Sequence, residues 1–323
     1  MLELIEEDVE RALRTVVEFL RARGYRFITV SPSTHARVNH RRENAMASDL
    51  AGVFGWSRPF SADVLGTELF DLLARAGALV REGDQFRSTI RVSSLGEELF
   101  VHSAYPTGSA DSVFFGPDTY RFANAIQSWQ RLGRSGDLRR VADIGCGAGP
   151  GGILVAGRAP SAEVVLVDIN DAALRFARIN AVLAGTRNIA FRLSDVLRDV
   201  EGDFDLIVSN PPYLNDPLRR AYRHGGGALG EGLSELILGA ALKRLTPGGT
   251  LLLYTGVAIV KGLDPFRQHV AERLGGRDVD WSYAEMDPDV FGDELDTATY
   301  GEADRIAAVV LTVTRKGGKD AGA

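Results

Sequence analysis

The stretch that decides the fold is Val141-Ala142-Asp143-Ile144-Gly145-Cys146-Gly147-Ala148-Gly149-Pro150-Gly151. Its apolar beginning predicts a buried strand, and the glycines that follow let the backbone approach a ligand closely at the N-terminus of a helix. Residues 147–152 also match G-x-G-x-x-G, the pattern of dinucleotide sites. The loop therefore predicts a nucleoside-bearing ligand without choosing the cofactor.

Strand and helix patterns alternate downstream of this loop. The predicted strands are Val141–Ile144, Val164–Asp168, Ala190–Leu193, Phe204–Ser209 and Thr250–Thr255, and the predicted helices between them are Gly152–Arg158, Ala172–Ala184 and Leu233–Leu245. This alternation predicts an α/β fold with a doubly wound, mostly parallel sheet that binds ligands at the carboxyl ends of its strands. A final strand, Ile306–Arg315, is expected to pair with Trp281–Met286 as an antiparallel edge.

The region before residue 110 has a different pattern and predicts a smaller α+β domain. Apolar residues from Leu4 to Leu20 recur at helical spacing, and a second helical pattern covers Ala62–Ala76. Two strand-like runs follow, Phe86–Val92 and Glu98–His102, joined around Gly96. A helix followed by a hairpin resembles a winged-helix unit.

A segment rich in Pro, Gly, Ser and Thr, Tyr105–Ser112, is typical of a linker. We therefore predict two domains, an N-terminal substrate-recognition domain at 1–110 and a larger domain at 111–323. The length of 323 residues agrees with about two domains.

The composition is that of an ordinary globular protein, with 45% hydrophobic and 25% charged residues. It excludes disorder, collagen-like repeats and coiled coil. The net charge of −6 disfavours a general polyanion binder, although local basic patches remain possible. The single cysteine, Cys146, excludes an internal disulfide and a cysteine-based zinc site, and no metal site is predicted.

Membrane association is not expected. The longest apolar stretch in the C-terminal half, Leu251–Val260, is far short of the roughly 20 residues that a membrane span needs. The first residues are acidic where a secretion signal would be basic. We therefore predict a cytoplasmic protein.

Three carboxylates lie at or near the carboxyl ends of successive predicted strands. Asp143 is placed to accept from a ligand ammonium, a group that S-adenosylmethionine carries and NAD lacks. Asp168 ends the second strand, where a carboxylate accepts from ribose hydroxyls in NAD sites and methyltransferases alike. Asp195, preceded by Ser194, follows the third strand and is placed to accept from an adenine amino group.

The fourth strand runs into Ser209-Asn210-Pro211-Pro212-Tyr213. Two prolines stiffen the turn because they fix φ and carry no N–H. The Asn210 side-chain oxygen and the Pro211 carbonyl can each accept one hydrogen of a planar NH2 group, and Tyr213 offers a face for stacking. Such a cradle turns the nitrogen lone pair towards an electrophilic methyl group by orientation and electrostatics, without a strong base.

The glycine loop followed by this tetrad resembles the class I S-adenosylmethionine-dependent methyltransferases. The resemblance is to the Asn-Pro-Pro-Tyr branch, which includes the methyltransferase small domain and the release-factor glutamine methyltransferases, and it covers roughly residues 113–315. It implies a Rossmann-like seven-stranded sheet, S-adenosyl-L-methionine as cofactor and methylation of a planar nitrogen.

The resemblance also implies roles for individual residues. Asn210, Pro211 and Tyr213 would be catalytic, holding the acceptor nitrogen. The segment Phe115–Thr119 occupies the position that closes over the cofactor in the family. The cofactor-binding residues would be Phe115, Thr119, Asp143, Gly145, Cys146, Gly147, Asp168, Ile169, Ser194, Asp195 and Asn210.

Several acceptors remain open. Residues 225–233 resemble a Gly-Gly-x-x-Gly-Leu segment of the glutamine enzymes and favour a protein glutamine, with a release factor or another protein as partner. The predicted N-terminal hairpin is closer to a nucleic-acid module and keeps RNA or DNA as partners, with adenine N6 or guanine N2 as acceptor. A nicotinamide-dependent oxidoreductase is a distant alternative, and it leaves Asn210–Tyr213 without a purpose. A binding module without chemistry has the same defect.

Other clusters admit two interpretations each. Two basic clusters could meet phosphates or form a solvated face: His35, Arg37, His40, Arg41 and Arg42, and then Arg219, Arg220, Arg223 and His224. Three aromatic residues could stack a base but more often pack a domain seam: Phe54, Trp56 and Phe60. One acidic group lacks the spacing of a calcium loop and predicts a surface loop: Asp287, Asp289, Asp293, Glu294 and Asp296.

Overall fold

The computed structural model describes residues 2–134, 137–220 and 222–317. The helices are α1 Leu2–Ala22, α2 Pro32–Asn39, α3 Leu50–Phe54, α4 Gly66–Arg75, α5 Pro117–Trp129, α6 Pro150–Arg158, α7 Asp171–Leu183, α8 Gly232–Arg244 and α9 Pro265–Leu274. The strands are β1 Leu79–Glu82, β2 Gln85–Ser88, β3 Ile90–Leu95, β4 Glu98–Ser103, β5 Arg140–Ile144, β6 Glu163–Asp168, β7 Ile189–Leu193, β8 Phe204–Ser209, β9 Leu245–Val260, β10 Val279–Asp287 and β11 Ala303–Arg315.

The larger region is built on a seven-stranded sheet with the order β10-β11-β9-β8-β5-β6-β7. Strands β5 to β9 pair in parallel, and β11 pairs antiparallel with both β9 and β10. The inner strands are continuous apolar runs because helices cover both faces of the sheet. The predicted doubly wound α/β fold is confirmed, as is the antiparallel pairing of the last two strands.

The order of the strands places a crevice beside β5. From β5 the chain proceeds outward to β6 and β7, then returns to the opposite side of β5 with β8. Ile144 at the end of β5 lies in register with Val167 of β6 and with Ser209 of β8. In such sheets ligands bind where the strand order reverses, outside the carboxyl ends of the strands.

The N-terminal region packs α1 against α4 and carries two separate hairpins, β1–β2 and β3–β4. The single strand expected over Phe86–Val92 is wrong. The chain bends at Thr89, where the Ser88 side chain bonds to both backbone groups of Ile90, so β2 and β3 join different hairpins. The expected turn around Gly96 is present between β3 and β4. The comparison with a winged helix stays a prediction, as do the two domain boundaries.

A buried asparagine of α7 links the N-terminal region to the glycine loop. Asn180 accepts from the Val101 N–H at 2.8 Å and donates to the Val101 carbonyl at 3.0 Å and the Ala148 carbonyl at 2.9 Å. One side chain thereby satisfies both backbone groups of a β4 residue and a carbonyl of the loop. The same helix contributes Ile179 and Leu183 to the apolar core of the N-terminal region.

Replacing this side chain by an apolar one of similar size tests the link. Asn180→Leu leaves three buried backbone groups without a partner, and we expect a loss of about 3 kcal/mol in the free energy of unfolding. Chemical denaturation measures the loss. The control is Val182→Ala on the exposed face of the same helix, which should change stability by less than about 0.5 kcal/mol. Equal effects of the two variants would contradict the linking role.

Candidate active site

A cavity of about 370 Å³ opens at the carboxyl ends of the central strands. Twelve of the thirteen residues expected at the site line it: Thr119, Asp143, Gly145, Cys146, Gly147, Asp168, Ile169, Ser194, Asp195, Asn210, Pro211 and Tyr213. The strand order brings these residues together although they span almost 100 positions of the chain. The glycine loop lies on one side of the crevice and the Asn-Pro-Pro-Tyr tetrad on the other.

Phe115 is the expected residue that does not line this cavity. Its ring is buried and stacks on His102 with a centroid distance of 5.0 Å, towards the N-terminal region. Neighbouring residues of an extended segment point to opposite sides, so Phe114 faces the cavity instead. The Phe114 ring lies nearly parallel to that of Tyr222, 6.2 Å away, and the two aromatic residues form one wall.

The glycine loop needs its glycines because the backbone takes left-handed φ angles. Gly147 has φ +53° and Gly149 has φ +87°, where side chains are strained. Pro150 then begins α6, a position where its missing N–H costs nothing. The amides of Gly145 and Cys146 both donate to the Val167 carbonyl, which anchors the loop to β6.

Asp143 is a buried carboxylate at the base of the loop. Only 1% of the residue is exposed, and its Oδ2 accepts from the Gly152 N–H at 2.7 Å. Burial raises the pKa of Asp143 to about 7, and the nearby Asp168 charge adds to the rise. The ionised form is therefore costly by itself, and a cation at this place would stabilise it.

Asp168 is the last residue of β6, and its side chain contacts the glycine loop. Its Oδ2 accepts from the Gly147 N–H and its Oδ1 from the Asn170 N–H, both at 2.9 Å. Burial raises its pKa, while these backbone donors act in the opposite direction. Each carboxylate oxygen retains a lone pair, so the group can still accept from two hydroxyls of a ligand.

The segment after β7 forms the outer rim. The Ser194 Oγ accepts from the Asp199 N–H at 3.0 Å, and exposed Asp195 pairs with Arg198 at 2.7 Å. Val196 has φ +54°, which is rare for a β-branched residue and is typical of strained functional sites. Across the cavity, Ile169 is 67% exposed and offers an apolar surface to a flat ring.

The tetrad is held at both ends by hydrogen bonds. The Ser209 Oγ donates to the Ile144 carbonyl at 2.7 Å, directly above the glycine loop. After the tetrad, the Asn215 N–H donates to the Tyr300 Oη at 2.9 Å. Asn210 and Pro211 line the cavity between these two anchors, so their oxygen atoms belong to a fixed turn.

Tyr213 forms a buried wall of the cavity. An added Cβ on Gly256 would come within 2.1 Å of the Tyr213 ring, so this glycine makes the space for it. Phe291 meets the ring edge to face at a centroid distance of 5.7 Å. Burial raises the pKa of Tyr213 well above its usual range, so its hydroxyl stays protonated.

A buried acid next to this tyrosine was missed at the level of the sequence. Asp118 accepts from the Tyr254 Oη at 2.7 Å and from Arg121 at 3.2 Å, and Arg121 continues to Asp287 at 2.7 Å. Burial raises the pKa of Asp118. Its position inside the segment 115–119 was a usable signal, but Tyr254 resembles an ordinary core residue of β9.

The other clusters divide between structure and surface. In the second basic cluster, Arg220 pairs with Asp216 and Arg223 with Glu294, so these charges are compensated within the protein and fold the segment over the tetrad. In the first cluster His35 is buried, whereas Arg37, His40, Arg41 and Arg42 are exposed. Phe54 and Phe60 are buried core residues, as expected for packing.

In residues 2–134, 137–220 and 222–317, no group of three or more side chains has the arrangement to hold a metal ion. No helix in those ranges is both long and apolar enough to cross a membrane.

The comparisons with known proteins place this site within a family. The model of the methyltransferase small domain matches residues 130–258. A release factor glutamine methyltransferase of Bradyrhizobium diazoefficiens is 30% identical over 222 residues, which cover 62% of this chain and 74% of that protein. A ribosomal RNA small subunit methyltransferase C of Mannheimia succiniciproducens is 33% identical over 198 residues, covering 61% of this chain and 52% of the relative.

Other alignments are shorter. A release factor glutamine methyltransferase of Xylella fastidiosa is 38% identical over 141 residues, which cover 40% of this chain and 51% of that protein. The chain thus spans about half the length of several of the curated relatives that it matches.

The raised pKa of Asp143 predicts that replacing this residue stabilises the protein by an amount that depends on pH. Its carboxyl loses the proton at about pH 4 in the unfolded chain and at about 7 in the folded chain, so wild-type stability falls with pH across this window. Asp143→Asn keeps an acceptor for Gly152 and escapes the penalty. We expect its stability advantage to grow by about 1.4 kcal/mol per pH unit between these values.

Thermal unfolding of both proteins from pH 4 to pH 8 measures this difference. The variant should match the wild type at the acid end and exceed it at the alkaline end. A difference that does not vary with pH would show that Asp143 is not the group that titrates.

Proposed function

Because the chain belongs to the class I S-adenosylmethionine-dependent methyltransferases, within the methyltransferase small domain family, we propose that it transfers a methyl group to a planar NH2 nitrogen. The observation that carries the proposal is the meeting of the glycine loop and Asn210–Tyr213 on one cavity. A nicotinamide enzyme would have a use for the loop but none for the tetrad.

S-adenosyl-L-methionine fits the residues of the loop side. Within the described part of the chain, no basic side chain pairs with the buried Asp143 carboxylate. The ammonium of the methionine part would supply the missing cation beside Gly145, Cys146 and Gly147. Asp168 is placed to accept from the ribose hydroxyls. Ser194, Asp195 and the exposed Ile169 are placed for the adenine ring. When bound, the cofactor supplies a methyl group made electrophilic by the positive sulfur.

The tetrad side positions the acceptor. The Asn210 side-chain oxygen and the Pro211 carbonyl each accept one hydrogen of the NH2 group, which turns the nitrogen lone pair towards the methyl group. The cavity lining includes four aromatic residues that offer apolar surface to the acceptor: Phe114, Tyr213, Tyr222 and Phe291. The tetrad would thus promote methyl transfer by orientation and electrostatics, so no strong base is required.

Among possible acceptors, a protein glutamine has support from the segment 225–233. An added Cβ on Gly230 would lie 2.0 Å from the Tyr213 carbonyl, and one on Gly225 would lie 2.7 Å from the Pro212 carbonyl. These glycines let the segment pack directly on the tetrad backbone, which gives the motif of the glutamine enzymes a physical purpose. Two curated relatives of the chain carry the name release factor glutamine methyltransferase. A release factor is therefore our first candidate partner.

A nucleic-acid base is the second candidate. The aromatic walls at the acceptor end suit a stacked ring, and exposed Arg37, Arg41 and Arg42 on the N-terminal region suit phosphates. The relative from Mannheimia carries an RNA methyltransferase name.

A cytoplasmic location remains a prediction from composition.

Transfer of radiolabelled methyl into an extract of cells that lack this protein separates the two candidates. Label in the protein fraction, at the size of a release factor, is the expected result. Label in RNA or DNA would show that the acceptor is a base amine and not a glutamine. If the protein binds the cofactor but neither fraction is labelled, methyl transfer to either acceptor would be contradicted.

Removing the tetrad amide tests the acceptor role. Asn210→Ala should retain S-adenosylmethionine binding, because Asp143 and Asp168 supply the main cofactor contacts in our assignment. It should lose at least about 100-fold in kcat, because a positioning acceptor that works in the transition state is gone. Labelled-methyl transfer and calorimetry give the two quantities. Leu218→Ala, at an exposed position in the same loop and outside the cavity lining, is the control and should keep most of the activity. Unchanged turnover in the Asn210 variant would exclude the assigned role.

Replacing Asp168, the carboxylate that we assign to the ribose, should mainly affect cofactor binding. Asp168→Ala is expected to weaken cofactor affinity by about 10-fold or more, because two charge-assisted hydrogen bonds are lost. Isothermal calorimetry with S-adenosylhomocysteine measures the change. An affinity equal to the wild type would count against the ribose assignment.

A further inference from the structure

A second, much smaller chamber lies in the seam between the N-terminal region and the sheet region. Its volume is about 20 Å³, enough for about one water-sized particle. The walls come from the beginning of α2, from β3 and β4, and from the segment that leads to Phe114 and Phe115. Phe114 lines both this chamber and the active-site cavity.

A buried guanidinium, that of Arg91, faces the chamber. Arg91 is 5% exposed, and its Nε donates to the Gly55 carbonyl at 2.8 Å. Its Nη2 is buried and has no hydrogen-bond partner within the described part of the chain. Burial lowers the Arg91 pKa to about 10, so the group is still charged at neutral pH.

A second buried polar group, the His35 imidazole, lines the same space. His35 is 1% exposed, and its Nδ1 lies 3.4 Å from the Asn39 amide nitrogen. Its Nε2 is buried and also lacks a hydrogen-bond partner among the described residues. By contrast His102, on the opposite wall, is bonded through both ring nitrogens to Ser93 and Ser103.

The remaining polar lining adds donors and no negative charge. The Ser103 Oγ accepts from the Val113 N–H at 2.8 Å, which leaves its own hydrogen available. The positive end of α2 also borders the chamber. None of the described residues that line it is an aspartate or a glutamate.

We propose that the chamber binds a single halide ion, chloride under ordinary conditions. A buried, unpaired guanidinium needs a negative partner, which a water molecule does not provide. The volume of about 20 Å³ suits a monatomic ion. The ion accepts from Arg91 Nη2 and from His35 Nε2, and it selects the His35 tautomer that carries the proton on Nε2. It thereby joins the N-terminal region to the Phe114 wall of the active site.

A crystal of the whole protein grown with bromide in place of chloride tests the site. The expected result is an anomalous peak within hydrogen-bond distance of Arg91 Nη2 and His35 Nε2. Density at that place without anomalous signal, or no density, would overturn the proposal. This measurement uses the wild type and does not depend on the folding of any variant.

Thermal unfolding provides the second test. Replacing gluconate by chloride at constant ionic strength should raise the wild-type Tm by about 3 °C, since the ion binds the folded chain alone. Arg91→Met should remove this dependence, whereas Arg81→Met on the exposed surface of β1 should keep it. Equal Tm values in the two salts for the wild type, or a chloride response retained by Arg91→Met, would contradict the halide site.

Discussion

The parallel pairing of β5 with β8 is the constraint on which the rest of the site depends. It sets Ile144 opposite Ser209, so the glycine loop and the tetrad leave adjacent strands at the same edge of the sheet. The hydrogen bond from the Ser209 Oγ to the Ile144 carbonyl then fixes the two turns against each other. A shift of one residue in this register would turn Asn210 away from the loop.

Asp143 shows how the fold gives up stability for binding. Its carboxylate is buried beside Gly152, with a second acid, Asp168, close enough to raise its pKa further. Small residues are required around it, because an added Cβ on Gly151 would lie 2.9 Å from its Oδ2. The cost of burying the charge falls on the unliganded protein, and the ammonium that we propose to bind there would remove it.

The sequence predicted the sheet region well because its signals are local and contiguous. Apolar runs ending in Asp143, Asp168 or Asn210 mark strand ends, and strand ends meet at one edge in a parallel sheet. Directions of individual side chains were less accessible: Phe115 faces the seam and Phe114 the cavity, a difference of one position in an extended segment.

The N-terminal region and the buried polar groups depend on tertiary contacts that no local pattern records. His35 belongs to a run of basic residues in the sequence, yet the fold buries it against Trp56 and Tyr105. A structure of the protein with S-adenosylhomocysteine tests the central claim most directly. The account predicts the ammonium at Asp143, the ribose at Asp168 and the sulfur facing Asn210; a sulfur directed away from Asn210, or a ligand bound outside this cavity, would contradict it.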